Sequence, residues 1–204
     1  MFKIKKFNNL SFLSELNTIN AATIVDVTLA PTGGGVIVVE SSTYATALTA
    51  FQASGFSGLS TAAVTISDAI TVAEANVLDA LTSGAITATI SDQALSVLGG
   101  LTGTGNAYTT VVQDTTAAAS DLNALIAKTS VAINANATTT VTGSLSDLNT
   151  LYVTNTGWTG QGSEAITVSD AAINASQLTA INAATDQLIT LSSATSISGQ
   201  GDQI

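Results

Sequence analysis

The segment Ala63-Val64-Thr65-Ile66-Ser67-Asp68-Ala69 joins a run of β-branched residues to a Ser-Asp pair. The same arrangement returns in Ile86-Thr87-Ala88-Thr89-Ile90-Ser91-Asp92 and in Ala165-Ile166-Thr167-Val168-Ser169-Asp170-Ala171. Val, Ile and Thr favour strands, whereas Ser and Asp hydrogen-bond to nearby backbone and favour turns and helix starts. Each segment therefore predicts a strand that stops at Ser-Asp. Further strands are predicted at 35–40, 108–112, 139–142 and 188–191.

Helical patterns follow the strands. Thr71-Val72-Ala73-Glu74 predicts a capping box, and Asn174-Ala175-Ser176-Gln177 repeats that arrangement with an amide side chain. Apolar residues then recur at helical spacing, which gives each short helix one narrow apolar stripe. The predicted stripes are Val77, Leu78 and Leu81; Leu122, Leu125 and Ile126; Leu145, Leu148 and Leu151; and Leu178 with Ile181.

The strand and helix patterns form an internal repeat. Ser-Asp-Leu-Asn occurs at 120–123 and again 26 residues later at 146–149, while Val64 and Ile86 lie 22 residues apart. A period of about 22 to 29 residues with one strand and one helix is typical of solenoids, in which neighbouring repeats bury each other's apolar stripes. We predict an α/β-solenoid over residues 31–204, with a parallel sheet on one face and short helices on the other. Residues 1–30 do not fit the repeat and are predicted to be an N-terminal arm or cap.

The charge of the chain excludes several function classes. Only 9% of residues are charged, and the chain has no His, no Cys and no Arg. From residue 7 onward fourteen acidic residues face Lys128 alone, for a net charge of −13, so we expect no nucleic-acid binding. Anionic lipid could be contacted only through Lys3, Lys5 and Lys6. No stretch reaches the roughly twenty apolar residues of a membrane span, and polar residues interrupt the signal-like N-terminus within 7–15.

The residue inventory also leaves little room for catalysis. A His-activated nucleophile is impossible, and the remaining enzymatic option is a pair of carboxylates about 5 to 10 Å apart. Glu74 with Asp79, and Glu164 with Asp170, are the two candidate pairs. Because Glu74 fits a capping box and Asp170 lies in a repeated turn, we expect no enzyme, no cofactor and no catalytic residue.

The sequence contains candidate residues for a calcium site, for attached sugars and for stacking on a sugar ring. Calcium requires six to eight oxygen ligands. The repeats would supply one carboxylate each, from Asp68, Asp92, Asp114 and Asp170. We therefore favour turn or cap roles for these aspartates and expect no metal site. The triplets beginning at Asn9, Asn136 and Asn174 match the N-glycosylation pattern but are common by chance in an Asn- and Thr-rich chain, and O-linked sugar on Thr is equally open. Trp158 and Tyr152 could stack on a sugar, although packing is favoured.

Hydroxyl pairs suggest a different binding surface. Thr87-Ala88-Thr89 and Thr140-Val141-Thr142 place two hydroxyls on one side of a strand, because side chains alternate. A flat array of such pairs could bind ice or a polysaccharide. Two instances are fewer than one per repeat, so this function is an alternative rather than the main prediction.

The region around 146–170 carries a family resemblance. Ser146-Asp147-Leu148-Asn149, followed by Thr156-Gly157-Trp158-Thr159-Gly160-Gln161-Gly162 and the strand to Asp170, resembles repeat segments of giant extracellular cell-surface proteins of marine cyanobacteria and related Gram-negative bacteria. The resemblance extends over about 60–200. It implies an extracellular location, often without a cleaved signal, and an architectural or adhesive role. The present chain is far shorter, and only Gly199-Gln200-Gly201-Asp202 is similar to the calcium-binding nonapeptides of those proteins.

Repeats that need neighbours predict self-association. We expect a structural subunit of an extracellular homopolymer, a filament or a surface layer, that assembles by end-to-end stacking of solenoid coils. A virion component such as a tail fibre or decoration protein is one alternative, and a polysaccharide- or ice-binding surface protein is another. The expected partner is a second copy of the chain.

Overall fold

A computed structural model describes residues 27–28, 36–39, 56–57 and 59–199. These residues form two compact units: the first runs up to Ser91 and includes Gly105–Tyr108, and the second holds Asp92–Thr104 and the residues from Thr109 onward. Both combine parallel strands in small sheets with short helices, so the predicted mixed α/β class is confirmed. The predicted arm 1–30 lies outside the described residues except for Val27–Thr28, which forms a strand.

The first unit is a parallel sheet with one helix. Its four-stranded sheet has the order β2-β4-β5-β6, and a separate parallel pair joins β1 to β3. Thr71 caps the helix through the predicted capping box, which is confirmed, with Glu74 Oε2 accepting from the Thr71 N–H at 2.8 Å. The elements are β1 (Val27–Thr28), β2 (Val36–Val39), β3 (Phe56–Ser57), a 3-10 turn (Leu59–Thr61), β4 (Ala63–Ile70), α1 (Val72–Leu81), β5 (Ile86–Ile90) and β6 (Ala107–Thr109).

Strand β4 departs from the sequence prediction. Ser67-Asp68 was expected to end it, but β4 continues to Ile70, and its register with β5 shifts between Thr65 and Ala69. An irregularity of this kind lets a strand absorb extra residues and then resume pairing. The Ser-Asp pair therefore lies within a bulged strand here, whereas β5 ends at Ile90 as the Ser91-Asp92 pair predicts.

The second unit repeats strand and helix several times. One parallel sheet has the order β7-β9-β11-β13, and two further pairs join β8 to β10 and β12 to β14. Its strands are β7 (Thr116–Ala118), β8 (Ile133–Asn134), β9 (Thr140–Gly143), β10 (Trp158–Thr159), β11 (Ala165–Val168), β12 (Ala172–Asn174), β13 (Ile189–Leu191) and β14 (Ser196–Ser198). Its helices are α2 (Leu95–Leu98), α3 (Ala119–Ile126), α4 (Leu145–Asn149), followed by a π-helical turn (Thr150–Thr154), and α5 (Ala175–Asn182).

The register of this sheet reveals the repeat length. Ala117 pairs with Val141, Val141 with Ile166 and Ile166 with Ile189, so partners lie 24, 25 and 23 residues apart. These intervals fall within the predicted 22 to 29. Because the strands pair in the order in which they occur in the chain, each repeat is a neighbour of the preceding and the following one.

The core of each unit consists of alternate strand residues and one face of each helix. Val64 and Ile86 are fully buried partners in the first unit, as are Val141 and Ile166 in the second. Most of the predicted stripe residues are buried or half-buried, but Val77 is 41% exposed. The strand predicted from 188 begins at Ile189, and the strand predicted at 108–112 ends at Thr109, with Val111 making only an isolated bridge.

Hydroxyl groups link successive repeats. Thr138 Oγ1 donates to the Asp114 carbonyl at 2.8 Å, and Thr195 Oγ1 donates to the Ala171 carbonyl at 3.1 Å. In the first unit Thr82 Oγ1 donates in the same way to the Ala62 carbonyl at 2.6 Å. The abundant Ser and Thr residues thus satisfy backbone acceptors of the preceding repeat as well as supplying polar surface. No helix within the described ranges is long and apolar enough to cross a membrane.

Candidate functional site

The carboxylates Glu74 and Asp79 do not form a catalytic pair. They are five positions apart on α1, which places them about 140° apart around the helix axis. Glu74 is held by the N-terminal capping box, while Asp79 Oδ1 accepts a hydrogen bond from Asn106 Nδ2 at 2.8 Å. The Asn106 Oδ1 atom accepts in turn from the Ile86 N–H at 2.8 Å. Both carboxylates therefore have structural roles.

Glu164 and Asp170 flank the strand β11 and point to different partners. Glu164 precedes β11 and Asp170 follows it, and Asp170 accepts from the Leu145 N–H rather than facing Glu164. Glu164 is completely buried, and its Oε2 atom accepts from the Gly162 N–H at 3.0 Å and from the Tyr152 hydroxyl at 3.3 Å. The second candidate pair is therefore also not brought together.

The two aromatic side chains predicted as possible sugar contacts are buried. Trp158 is 4% exposed and Tyr152 is 7% exposed, and their rings meet edge to face at 5.4 Å. The indole N–H donates to the Leu151 carbonyl at 3.2 Å. Burial, followed by the neighbouring Glu164 carboxylate, raises the pKa of the Tyr152 hydroxyl well above its ordinary value. The sugar-stacking hypothesis is wrong for these rings, and the packing alternative holds.

Two of the four aspartates named as possible calcium ligands, Asp114 and Asp170, cap helices instead. Asp114 Oδ2 accepts from the Leu95 N–H at 2.7 Å, and Asp170 Oδ2 accepts from the Leu145 N–H at 2.6 Å. Leu95 and Leu145 are the first residues of α2 and α4, so each aspartate caps a helix of the preceding repeat. The described part of the chain contains no group of three potential metal-ligating side chains. Asp68 lies within β4, and Asp92 follows β5.

The glycosylation triplets differ in their surroundings. Asn174 caps α5, because its Oδ1 atom accepts from the Ser176 and Gln177 N–H groups at 3.0 and 3.2 Å. Asn136 is exposed between β8 and β9. Asn9 lies outside the described residues. Asn174 is confirmed as the helix cap, but the described contacts include no reciprocal bond from the Asn174 N–H to the Gln177 side chain, so the predicted capping box is only half formed. The capping role accounts for one of the three triplets.

Threonines align across the second sheet more extensively than predicted. Thr142 pairs with Thr167, and Thr167 pairs with Thr190, so three hydroxyl-bearing side chains occupy one column, next to a second pair formed by Thr116 and Thr140. Sequence reasoning identified the pairs at 87–89 and 140–142 but missed Thr167 and Thr190. The signal was available, since both lie at the centre of the similar triplets Ile-Thr-Val and Ile-Thr-Leu. In the first unit, Thr65 pairs with Thr87.

Two strands near the end of the described residues have one strand partner each and carry exposed apolar side chains beside them. Within residues 59–199, β13 pairs only with β11, and β14 pairs only with β12. Leu188 is 74% exposed and Ile197 is 49% exposed beside these strands. At the beginning of the first sheet, the described part of β2 likewise pairs only with β4. Such edges carry unpaired backbone donors and acceptors that can pair with another chain.

Comparison with known proteins found no matching family model, no matching curated protein and no matching solved structure. The resemblance to bacterial cell-surface repeats therefore stays a prediction.

Proposed function

We propose that the chain is a structural subunit of an extracellular homopolymer, a filament or a surface layer, in which an α/β-solenoid stacks end to end on further copies. The observation that carries the proposal is the strand order. Among the described strands, both four-stranded sheets follow the order of the sequence, with β2 as the first strand of one sheet and β13 as the last strand of the other. In our proposal, β13 of one copy pairs with β2 of the next.

This contact uses two different surfaces of the same chain. A contact between unlike surfaces leaves one of each free on the resulting dimer, so addition of copies continues unless the assembly closes into a ring. A parallel pairing would extend the pattern already present, because β2, β4 and β5 are parallel to each other, as are β9, β11 and β13. The exposed Leu188 and the half-buried Ile189 and Leu191 would gain an apolar cover.

Backbone geometry supports the use of the β13 edge. The Leu188 carbonyl accepts from the Ile166 N–H at 3.0 Å and therefore faces β11. Because hydrogen-bonding directions alternate along a strand, the N–H and carbonyl groups of Ile189 and Leu191 face the open side. They are positioned to pair with an incoming parallel strand.

The composition agrees with an architectural role. The chain lacks His, Cys and Arg, and its described carboxylates considered for catalysis act as caps or buried hydrogen-bond acceptors. With 9% charged residues, the surface depends on Ser, Thr, Asn and Gly for solubility. The extracellular location rests on the family resemblance given above. A virion part would use the same edge pairing in a different setting.

A pair of lysine substitutions tests the edge contact. Ile189→Lys places a charge on the core-facing side of β13, where it is tolerable at an open edge but is buried and unpaired once another copy covers it. Thr190→Lys is the matched control, because it puts the same charge on the neighbouring, exposed position. We expect ordered polymer of the wild type and of Thr190→Lys in electron micrographs and light scattering, and none of Ile189→Lys. A wild-type chain that stays a monodisperse monomer at high concentration, or an Ile189→Lys chain that polymerises normally, contradicts the proposal.

The threonine columns favour a second candidate function, binding of a polysaccharide or of ice by the outer face of the β7-β9-β11-β13 sheet. Thr142, Thr167 and Thr190 repeat at the spacing of neighbouring strands, about 4.8 Å, and form a regular array of hydroxyl and methyl groups. Thr167→Lys interrupts the middle of the column. We expect it to abolish sedimentation with insoluble polysaccharide, or inhibition of ice growth, without affecting polymer formation. Unchanged binding by Thr167→Lys excludes this face.

A further inference from the structure

The last repeat contains an open groove between α5 and β13. Its volume is about 430 Å³, and it is lined by the apolar side chains of Leu178, Leu188, Ile189 and Leu191 together with the polar Thr179, Asn182 and Gln187. Grooves of this size that combine apolar walls with a few polar groups are typical of sites that receive side chains of a ligand or partner. Edge pairing along β13 would satisfy backbone hydrogen-bonding groups, but it leaves open which side chains of the partner fill the groove.

The second unit as a whole is acidic, and one carboxylate adjoins the groove in the sequence. The described residues of the second unit include seven carboxylates and a single basic residue, Lys128. Asp186 directly precedes the groove residue Gln187, and its side chain is exposed. An occupant with apolar side chains and positive charge would therefore be attracted to this surface, most strongly at low ionic strength.

One segment of the chain has this combination. Phe2-Lys3-Ile4-Lys5-Lys6-Phe7 carries three of the four basic residues of the protein, and residues 2–13 carry three of its five phenylalanines. In an extended conformation Phe2 and Ile4 fall on one side and Lys3 and Lys5 on the other, because side chains alternate. The segment can then direct its apolar side chains into the groove and its ammonium groups towards the acidic surface of the second unit, which includes the exposed Asp186.

We propose that residues 2–13 of a second copy occupy this groove. The inference rests on the proposed end-to-end contact, which brings β2 of the second copy to the β13 edge. Val27, where β1 begins, follows Leu13 by fourteen residues and belongs to the same unit as β2. Fourteen residues of extended chain from Leu13 to Val27 reach up to about 45 Å, which is ample for a segment that starts at the adjoining edge. The segment acts as a clamp that adds to the edge pairing.

Cross-linking between two singly substituted chains tests the proposal, since the protein has no natural Cys. Full-length Leu10→Cys is mixed with full-length Asn182→Cys, whose substitution lies at the groove rim, and the mixture is treated with a flexible bis-maleimide. Ser96→Cys, an exposed position on α2, replaces Asn182→Cys in the control mixture. We expect a mixed covalent dimer with Asn182→Cys at several times the yield obtained with Ser96→Cys. Equal yields in the two mixtures overturn the proposal.

A charge variant adds a second readout. Lys3→Glu, Lys5→Glu and Lys6→Glu together remove the positive charge and leave the described fold untouched. Each exposed charge contact is weak, but three together should lower the mixed-dimer yield about tenfold at low salt, with a smaller effect at high salt. A yield that does not change with these substitutions or with salt argues against charge attraction between this segment and the acidic second unit.

The failure of this inference is distinguishable from failure of the proposed polymer. Ordered polymer without preferential cross-linking at residue 182 leaves the edge contact intact and removes the N-terminal clamp. Cross-linking that occurs only within a doubly substituted single chain shows that the segment folds back on its own groove and also overturns the inference. A chain that neither polymerises nor cross-links overturns both proposals.

Discussion

The cap formed by Asp170 makes the dependence of one repeat on the next measurable. Its Oδ2 atom accepts from the Leu145 N–H at 2.6 Å, although the two residues are 25 positions apart. Substitution Asp170→Ala leaves the first N–H of α4 without its carboxylate partner and removes a negative charge from the positive end of the helix. Losing a cap of this kind costs about 1–2 kcal/mol of unfolding free energy, since Asp170 is only half-buried.

Thermal and denaturant unfolding provide the assay for this cap. For a chain of about 200 residues, a loss of 1–2 kcal/mol corresponds to a Tm lower by about 2–8 °C. Asp170→Asn retains an acceptor oxygen and should lose about half as much. Asp186→Ala is the matched control, because the exposed Asp186 side chain makes no hydrogen bond to the described residues. If Asp170→Ala is no less stable than Asp186→Ala, the aspartate is only a local turn residue and the proposed coupling between repeats is refuted.

Three further predictions concern packing and ionisation. Gly84→Ala should lower the free energy of unfolding by about 1–3 kcal/mol in denaturant, because a Cβ atom at this position overlaps the backbone of Ala62 and Ala63. Gly99, which follows α2 in a helical backbone conformation, is the control, and Gly99→Ala should be neutral or slightly stabilising. Equal effects of the two substitutions would contradict this prediction. Trp158, the single tryptophan, should resist acrylamide quenching until the protein unfolds, and quenching of the native protein like that of free indole would show an exposed ring. Burial raises the pKa of Tyr108 and Tyr152, so the stability they contribute is complete below pH about 10 and declines as pH rises above it; absorbance at alkaline pH should show their ionisation only on unfolding.

Local sequence signals predicted much of the secondary structure. The capping box at Thr71 and Glu74 and the amide cap at Asn174 each lie within four residues of chain, so their geometry is determined by neighbours in the sequence. The parallel pairing of successive strands followed from the alternation of strands and helices, because a strand-helix-strand unit returns the chain in the same direction. These features needed no knowledge of distant contacts.

Other features depend on partners that the sequence does not identify. The bulge in β4 is visible only against its partner, because β5 pairs with Val64 and Thr65 before the register shift and with Ala69 and Ile70 after it. Asp114 and Asp170 look like turn residues locally, and their actual partners lie 19 and 25 residues earlier. The burial of Trp158 likewise depends on packing that aromatic composition alone does not specify.

The hydroxyl bonds between repeats have a direction along the chain. In each case the donor comes later in the sequence and the carbonyl earlier, as in Thr138 to Asp114, Thr185 to Glu164 and Thr195 to Ala171. A chain that emerges N-terminus first from a ribosome therefore has the carbonyl acceptors for each new repeat already synthesised. The aspartate caps run the other way, because Asp114 and Asp170 follow the helices that they cap. Each repeat thus offers acceptors to the following repeat and receives its helix cap from it.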